Sequence, residues 1–278
     1  MTHQSGLAKA TPPGLAWIDK FKTVALDLLF PPHCAACQRL GAWLCTDCLS
    51  EIEAIEPPVC PHCGLPWARD SRAGICGRCQ VSPIQLDGLR ACAFHGGPLR
   101  KAIHQFKYED LRGLAGLLGK LMADGWNRLA PHDLELDAIV PVPLHRNRQR
   151  QRGYNQAALL ARELGDCLQL PVVEDAIVRS RATAPQVDLN AQARRANARD
   201  ANHCQGKGLS GKHVLLVDDV CTTGSTLESA CLALRGVGAS SVWACTLTRA
   251  RPDPCQVGLV SGLTRARPDT GVTHPLED

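Results

Sequence analysis

The chain of 278 residues lacks any long apolar run that is free of charges. Its most apolar N-terminal stretch, residues 15–30, is interrupted by two aspartates and two lysines, and this pattern predicts an amphipathic helix rather than a membrane span. The opening residues 1–13 contain no basic segment followed by an apolar run, so we expect no secretory signal. These absences favour a cytoplasmic protein without a membrane span.

Charge excess and aromatic residues are also scarce. The formal net charge is only +4, which argues against a protein that coats nucleic acid with its whole surface. The aromatic content is 4%, but the hydrophobic content of 45% suffices for a packed core. The sequence contains no GxxxxGK[ST] and is therefore not a P-loop protein. Its length fits one α/β domain with a smaller module.

Cysteine, by contrast, is abundant. Of the fifteen cysteines, eight form four CxxC pairs: Cys34/Cys37, Cys45/Cys48, Cys60/Cys63 and Cys76/Cys79. An odd total with eight members crowded into one segment does not resemble a secreted disulfide framework. We expect a reducing cytoplasm in which the thiols are available to a metal.

The spacing of the CxxC pairs predicts two closed Cys₄ zinc sites. Seven residues separate the first two pairs and twelve separate the second two, as in zinc ribbons. Pairing in sequence order is the simplest arrangement; interleaved pairing and an iron–sulfur cluster are alternatives. Closed sites are structural, and about two zinc ions would supply much of the module's folding free energy.

The stretch VLLVDDVCTTGST, from Val214 to Thr226, predicts a ligand site. We expect a buried strand that ends at Val217 and a helix that begins near Gly224 or Ser225. Ligands of parallel sheets bind at the carboxyl ends of strands, and a hydroxyl-rich loop at a helix N-terminus favours phosphate. The adjacent carboxylates of this stretch would repel phosphate unless they faced sugar hydroxyls or Mg²⁺. Simple capping of the next helix is the alternative.

Strands alternate with helices along the rest of the chain, which predicts a parallel sheet covered by helices. Residues 1–30 are expected to form a disordered start and an amphipathic helix, and residues 31–82 a zinc module. The α/β domain is expected over 83–250 and a polar tail over 251–278. The run HRNRQRQRGYNQ, after the apolar strand LDAIVPVP, is expected to form a basic loop.

Several motifs together resemble one known family. VLLVDDVCTTGST is similar to the phosphoribosyl pyrophosphate (PRPP) signature of type I phosphoribosyltransferases, and the chain from about Phe30 to Leu247 resembles the ComF/GntX family. The other marks are the CxxC ribbons, IHQFKY with Lys107, PVPLHRNRQRQRGYNQ and RATAPQVDLNAQARRAN. Cys221 departs from the aliphatic residue that many phosphoribosyltransferases carry there. The resemblance implies a Rossmann-like type I phosphoribosyltransferase domain preceded by a double zinc ribbon.

The resemblance also implies roles for individual residues. The catalytic carboxylates Asp218 and Asp219 would contact the ribose directly or through Mg²⁺. The 5′-phosphate would be held by Thr222, Thr223, Gly224, Ser225 and Thr226. The pyrophosphate loop would contain Arg146, Arg148, Arg150, Arg152 and Gly153, and its dense positive charge suits a pyrophosphate. A solvated basic loop or helix edge is the alternative for this run. The flexible-loop region would contain Thr183, Gln186, Arg194 and Asn197.

Two functions follow from these expectations. In the first, the protein binds PRPP with Mg²⁺, or a nucleotide, and transfers the phosphoribosyl group to a nitrogen acceptor with release of pyrophosphate. In the second, the fold senses PRPP without catalysis, and the zinc ribbons bind single-stranded DNA or DNA-uptake proteins in natural competence. A ribbon that serves only as a lid or an oligomer contact is equally compatible with the sequence. No catalytic cysteine opens the chain, which argues against glutamine-dependent ammonia release.

Overall fold

The computed structural model describes residues 31–66, 74–179, 202–204 and 208–252. The helix expected over 15–30 and nearly all of the expected tail lie outside these ranges. The flexible-loop residues Thr183, Gln186, Arg194 and Asn197 lie outside them as well.

Six strands are present in the described ranges: β1 (Gly88–Phe94), β2 (Ala138–Pro141), β3 (Ile177–Arg179), β4 (Asn202–Cys204), β5 (His213–Cys221) and β6 (Ser241–Arg249). Four of them form one sheet in the order β1-β6-β5-β2, and every pairing in it is parallel. β3 and β4 form a separate antiparallel pair. All four residues of β2 are buried, as expected of a strand with helices on both sides of its sheet.

Seven helices lie in the same ranges: α1 (Thr46–Ser50), α2 (Gly77–Val81), α3 (Gly97–Tyr108), α4 (Leu114–Leu129), α5 (Arg146–Arg152), α6 (Gln156–Leu168) and α7 (Ser225–Gly236). None of these helices has the length and hydropathy that a bilayer crossing requires. The predicted α/β class with a parallel sheet is therefore confirmed.

The helices cover the two faces of the sheet. α3, α4 and α6 pack on one face, where Phe106, Leu118 and Leu160 share a core with Leu215 of β5. α7 packs on the other face against a second core that contains Leu216. The chain leaves β5 through α7 on one face and leaves β2 through α6 on the other. A crevice at the carboxyl ends of β2 and β5 follows from this divergence, and such switch points are where open α/β sheets bind ligands.

β5 extends further than its sequence predicts. The expectation that it ends at Val217 is wrong, because β6 continues to pair with it through Cys221. β2 ends earlier, with Pro141 opposite Val217. Among the described residues, β5 is paired on one side only beyond Val217, and the two carboxylates lie on this part of the strand. The partner strand, rather than the charge of Asp218 and Asp219, determines where β5 ends.

The expectation that the basic run after LDAIVPVP forms a loop is also wrong, because residues 146–152 of this run form α5. His145 caps the helix through its Nδ1, which accepts the N–H of Asn147 at 3.2 Å. The segment from Arg146 to Arg152 contains no glycine or proline that would interrupt a helix. Gly153, with φ of 76°, ends it in the left-handed conformation that favours glycine. The basic run is therefore helical rather than a loop.

The cysteine-rich module packs directly against the sheet. Its central segment follows the free edge of β1, where the Phe94 N–H donates to the Glu53 carbonyl at 2.9 Å and the Ile55 N–H donates to the Cys92 carbonyl at 2.9 Å. The Leu89 N–H donates to the His62 carbonyl at 2.7 Å. An edge that is paired in this way is not available to another chain.

Candidate functional site

Two groups of four cysteines converge in the structure. The first cysteine cluster consists of Cys34, Cys37, Cys45 and Cys48, and the second of Cys60, Cys63, Cys76 and Cys79. Within each cluster all sulfurs lie within 4.8 Å of one another. The Sγ atoms of Cys37 and Cys45 are 3.6 Å apart and those of Cys63 and Cys76 are 3.5 Å apart. Two thiolates on a tetrahedral zinc ion would be about 3.8 Å apart. The clusters follow sequence order, so interleaved pairing is wrong, and they fit two structural zinc ions.

The protonation chemistry of the cysteines also suits a dication. Burial raises the pKa of Cys34, but N–H groups from Cys45 and the following turn outweigh it and lower that pKa to about 6. The neighbouring thiol of Cys60 raises the pKa of Cys63 to about 12. In the first cluster the pKa of Cys34 is lowered while burial and neighbouring thiols raise that of Cys48, and in the second the pKa of Cys60 is lowered while that of Cys63 is raised. Within each cluster, one thiol therefore ionises readily while another resists a second like charge. A bound dication removes this conflict because it favours thiolates at every ligand position.

The adjacent carboxylates lie on the one-sided end of β5 and differ in their partners. Asp219 forms an ion pair with Lys107, whose Nζ lies 2.7 Å from Asp219 Oδ2, and the Asp219 side chain is only 9% exposed. Asp218 accepts the N–H of Asp219 through Oδ1 at 2.8 Å. The sequence marked Lys107 as part of IHQFKY but did not assign this ion pair. The only sequence signal for this ion pair is that Lys107 directly follows Phe106, a buried residue of α3.

One lysine does not neutralise two carboxylates. Burial and then the charge of Asp219 raise the pKa of Asp218 to about 7, although Lys107 opposes this effect. Ionisation of Asp218 is therefore unfavourable without a further cation near the pair. Carboxylate oxygens are the ligands that Mg²⁺ prefers, so the residues present fit a divalent cation.

The predicted phosphate loop is a tight turn between β5 and α7. Gly224 is the N-cap of α7 and has φ of 85°, a conformation that favours glycine. The Thr223 Oγ1 and Ser225 Oγ atoms lie 2.9 Å apart, and the Ser225 N–H points to Thr223 Oγ1 at 3.4 Å. Thr222 is exposed. The positive end of a twelve-residue helix thus begins beside the two carboxylates.

The four arginines of α5 divide between two sides of the helix. Arg152 donates to the Tyr108 hydroxyl at 3.1 Å, beside Lys107, and its guanidinium lies 4.7 Å from the centre of the Tyr108 ring. Arg148 is one helical turn earlier. Its charge lowers the pKa of Arg179 on β3, and the charge of Asp218 opposes that effect. The other two, Arg146 and Arg150, are four positions apart and lie on the remaining side by helical spacing; like Arg148, both are exposed.

Two side chains near the site were not anticipated from the sequence. Arg179 is largely buried; burial and Arg148 lower its pKa, while Asp218 opposes this shift. His95 follows β1 at the same edge of the sheet, and its Nδ1 lies 3.0 Å from the Thr248 Oγ1 atom. Burial, Lys107 and Arg100 lower the pKa of His95. No sequence motif marks either residue, because His95 reaches the site through the order of the strands and Arg179 through the packing of the separate β3–β4 pair.

Comparisons with known proteins agree with this architecture. Residues 25–80 match the double zinc ribbon domain, and residues 150–255 match the phosphoribosyl transferase domain. The DNA utilization protein YhgH of Escherichia coli (strain K12) is 35% identical over 238 residues, which cover 84% of this chain and 96% of YhgH. The chain belongs to the ComF/GntX family. Competence protein F of Haemophilus influenzae is 35% identical over 214 residues, 74% of this chain and 90% of that protein.

Similarity to solved structures is more distant. The glutamine PRPP amidotransferase from B. subtilis, complexed with ADP and GMP, has 20% identity and a TM-score of 0.33. The match covers 48% of this ComF/GntX chain and only 26% of the amidotransferase, so that enzyme's activity is not transferred to this chain.

Proposed function

We propose that the crevice at the carboxyl ends of β2 and β5 binds PRPP together with Mg²⁺. The observation that carries this proposal is the acidic pair on the strand that leads into the N-terminus of α7, in which Asp219 pairs with Lys107 and Asp218 has a raised pKa. A ligand that satisfies both parts needs a phosphate at one end and a cation or sugar hydroxyls at the other. A phosphorylated ribose has this chemistry.

Each part of the ligand has candidate partners. Asp218 and Asp219 would hold Mg²⁺ and the ribose hydroxyls, and the loop Thr222–Thr226 would hold the 5′-phosphate through its amides and hydroxyls. Arg148, which acts electrostatically on Arg179, and Arg152, which donates to the Tyr108 hydroxyl, would bind the pyrophosphate.

The proposed reaction is transfer of the phosphoribosyl group to a nitrogen acceptor. The bond from ribose C1 to the pyrophosphate oxygen breaks, and a bond from C1 to nitrogen forms. Mg²⁺, held by Asp218 and Asp219, would supply charge stabilisation for the leaving pyrophosphate. The chain contributes by fixing the sugar phosphate at the loop and by placing two guanidinium groups where negative charge develops.

Calorimetric titration with PRPP and Mg²⁺ tests binding. The zinc-loaded wild-type protein should bind, and the double variant Asp218→Ala, Asp219→Ala should not. Asp137→Ala is the matched control. Asp137 also pairs with a lysine, Lys212 at 3.0 Å, but it precedes β2 and so lies at the amino ends of the strands, away from the proposed site. Unchanged affinity in the double variant would contradict the site. Pyrophosphate release with amine and base acceptors tests transfer separately.

Contact with single-stranded DNA is a second candidate function. Arg146 and Arg150 are exposed on the side of α5 away from the site, and the relatives are named for DNA utilization and competence. Replacing both with Gln should weaken a gel shift with single-stranded DNA and reduce its salt dependence. Replacing Arg148 and Arg152 is the control, since that pair should affect PRPP binding instead. An unchanged gel shift in the first variant would contradict DNA contact through α5.

A further inference from the structure

Two buried arginines of the sheet bind the same turn of the second cysteine cluster. Arg90 of β1 donates from Nη1 to the Pro61 carbonyl at 2.9 Å. Arg249, the last residue of β6, donates from Nη1 to the Cys63 carbonyl. Both side chains are only 3% exposed. The turn between Cys60 and Cys63 is therefore held against the sheet by two guanidinium groups.

The charges of these groups are complementary. Four thiolates around one zinc ion carry a formal charge of about −2, and the two arginines carry the opposite charge. Burial lowers the pKa of Arg90, and the charges of Cys60 and Cys63 oppose that effect. A buried guanidinium is costly unless it is paired and hydrogen-bonded. Arg249 depends strongly on this turn, because its Nε has no hydrogen-bond partner among the described residues.

Arg249 also contacts the start of the phosphate loop. Its backbone pairs with Cys221, the last residue of β5, and the next residue, Ala250, donates its N–H to the Cys221 carbonyl at 2.9 Å. Burial raises the pKa of Cys221, while Arg249 and Arg78 of α2 oppose that effect as nearby cations. Cys221 immediately precedes Thr222. A single residue therefore joins the second cluster, through its side chain, to the loop, through its backbone.

We propose that Arg249 is a positioning residue through which the order of the phosphate loop depends on zinc at the second cysteine cluster. In the described part of the chain, the first cysteine cluster contacts different elements. There, Lys101 of α3 donates to the Ala36 carbonyl at 3.2 Å, and Trp43 packs against Gly113 before α4. Zinc at the first cluster should therefore not influence the loop directly.

Amide hydrogen exchange on the full-length, zinc-loaded chain tests this inference without any ligand. Arg249→Lys keeps the charge but loses the guanidinium geometry that reaches the carbonyl. It should accelerate exchange of residues 221–227 by about tenfold, as expected for easier local opening. Arg90→Lys is the matched control, because Arg90 is equally buried and binds the same turn but does not contact Cys221. Equal exchange of the loop in both variants, or in Arg249→Lys and wild type, would overturn the inference.

Zinc loss provides a second measurement. Cys76→Ser removes a ligand from the second cluster and Cys37→Ser one from the first, and elemental analysis confirms that each variant has lost one zinc ion. Loop exchange should accelerate in Cys76→Ser and remain at the wild-type rate in Cys37→Ser. The same acceleration in both would contradict a specific connection. If circular dichroism shows that Cys76→Ser does not fold, the comparison of Arg249→Lys with Arg90→Lys decides, since both retain every cysteine.

The functional consequence rests on the proposed function, and the two can fail separately. Arg249→Lys should weaken PRPP binding with Mg²⁺ in calorimetry, whereas Arg90→Lys should not. Absence of binding by the wild type would contradict PRPP as the ligand and leave the exchange result valid. Wild-type binding combined with unchanged loop exchange in Arg249→Lys would overturn only the inference about Arg249.

Discussion

Asp218→Asn is expected to stabilise the ligand-free protein while it removes PRPP binding. Asparagine has nearly the same shape but no charge, so it relieves both the burial of the carboxylate and its repulsion by Asp219. It also lacks the charge that a divalent cation needs. A substitution that increases stability and abolishes binding is characteristic of a group whose strain serves a ligand.

The magnitude follows from the pKa. The pKa of Asp218 is raised from 3.8 to about 7, and one unit corresponds to about 1.4 kcal/mol. Ionised Asp218 therefore lowers the free energy of unfolding by up to about 4 kcal/mol at a pH well above 7. Because the folded-state pKa is the higher one, Asp218 causes no loss of stability below about pH 4, where it is protonated in both states. The loss develops as pH rises from about 4 through 7. The gain in Asp218→Asn should thus be largest above about pH 8.

Urea denaturation in Mg²⁺-free buffer at several pH values measures this effect. The wild type should lose stability relative to Asp218→Asn between about pH 4 and pH 7, and the difference should be constant above about pH 8. Asp219→Asn is the control and should be destabilised, on the order of 1 kcal/mol, because it loses the ion pair with Lys107. If Asp218→Asn were as destabilised as Asp219→Asn, or if its advantage did not grow with pH, the electrostatic account of the pair would be refuted.

Two further predictions concern the same site. Lys107→Met leaves two carboxylates without their cation, so the ligand-free protein should melt at a lower temperature and be stabilised by added Mg²⁺ more than the wild type is; an equal response in a thermal-shift titration would contradict this. Gly224→Ala should destabilise the protein by roughly 1–2 kcal/mol in urea denaturation, because alanine is strained at a φ of 85°. Gly236→Ala, in the same helix but with open space and no positive φ, should cost nothing; equal losses in the two variants would refute the strain argument.

Local patterns predicted most of the secondary structure and the two cysteine clusters. The period of the apolar residues marks α3, α4 and α7, and an uninterrupted apolar run marks β2. The CxxC spacing predicts which sulfurs converge because each turn brings two of them together over four residues. Such signals depend only on neighbours along the chain.

Predictions failed where a distant partner decides the outcome. Val217 was expected to end β5, but β6 supplies backbone partners for the charged residues that follow. Lys107 lies more than a hundred positions before Asp219, so no spacing rule could pair them. His95 reaches the site only because β1 lies beside β6, and Arg179 only because the separate β3–β4 pair lies near Asp218.

The sequence by itself determined the family, the parallel α/β class, the membership of the two metal clusters and the position of the acidic pair before a hydroxyl-rich turn. Tertiary structure decided how the two carboxylates, and the four arginines of α5, differ in their partners. Lys107 pairs with Asp219 and leaves Asp218 with a raised pKa, and α5 separates four similar arginines by the side they face. Packing also buried Arg249 against the second cysteine cluster. Residue type sets what a side chain can bind, whereas burial and distance set which partner it has and what that partner costs or contributes.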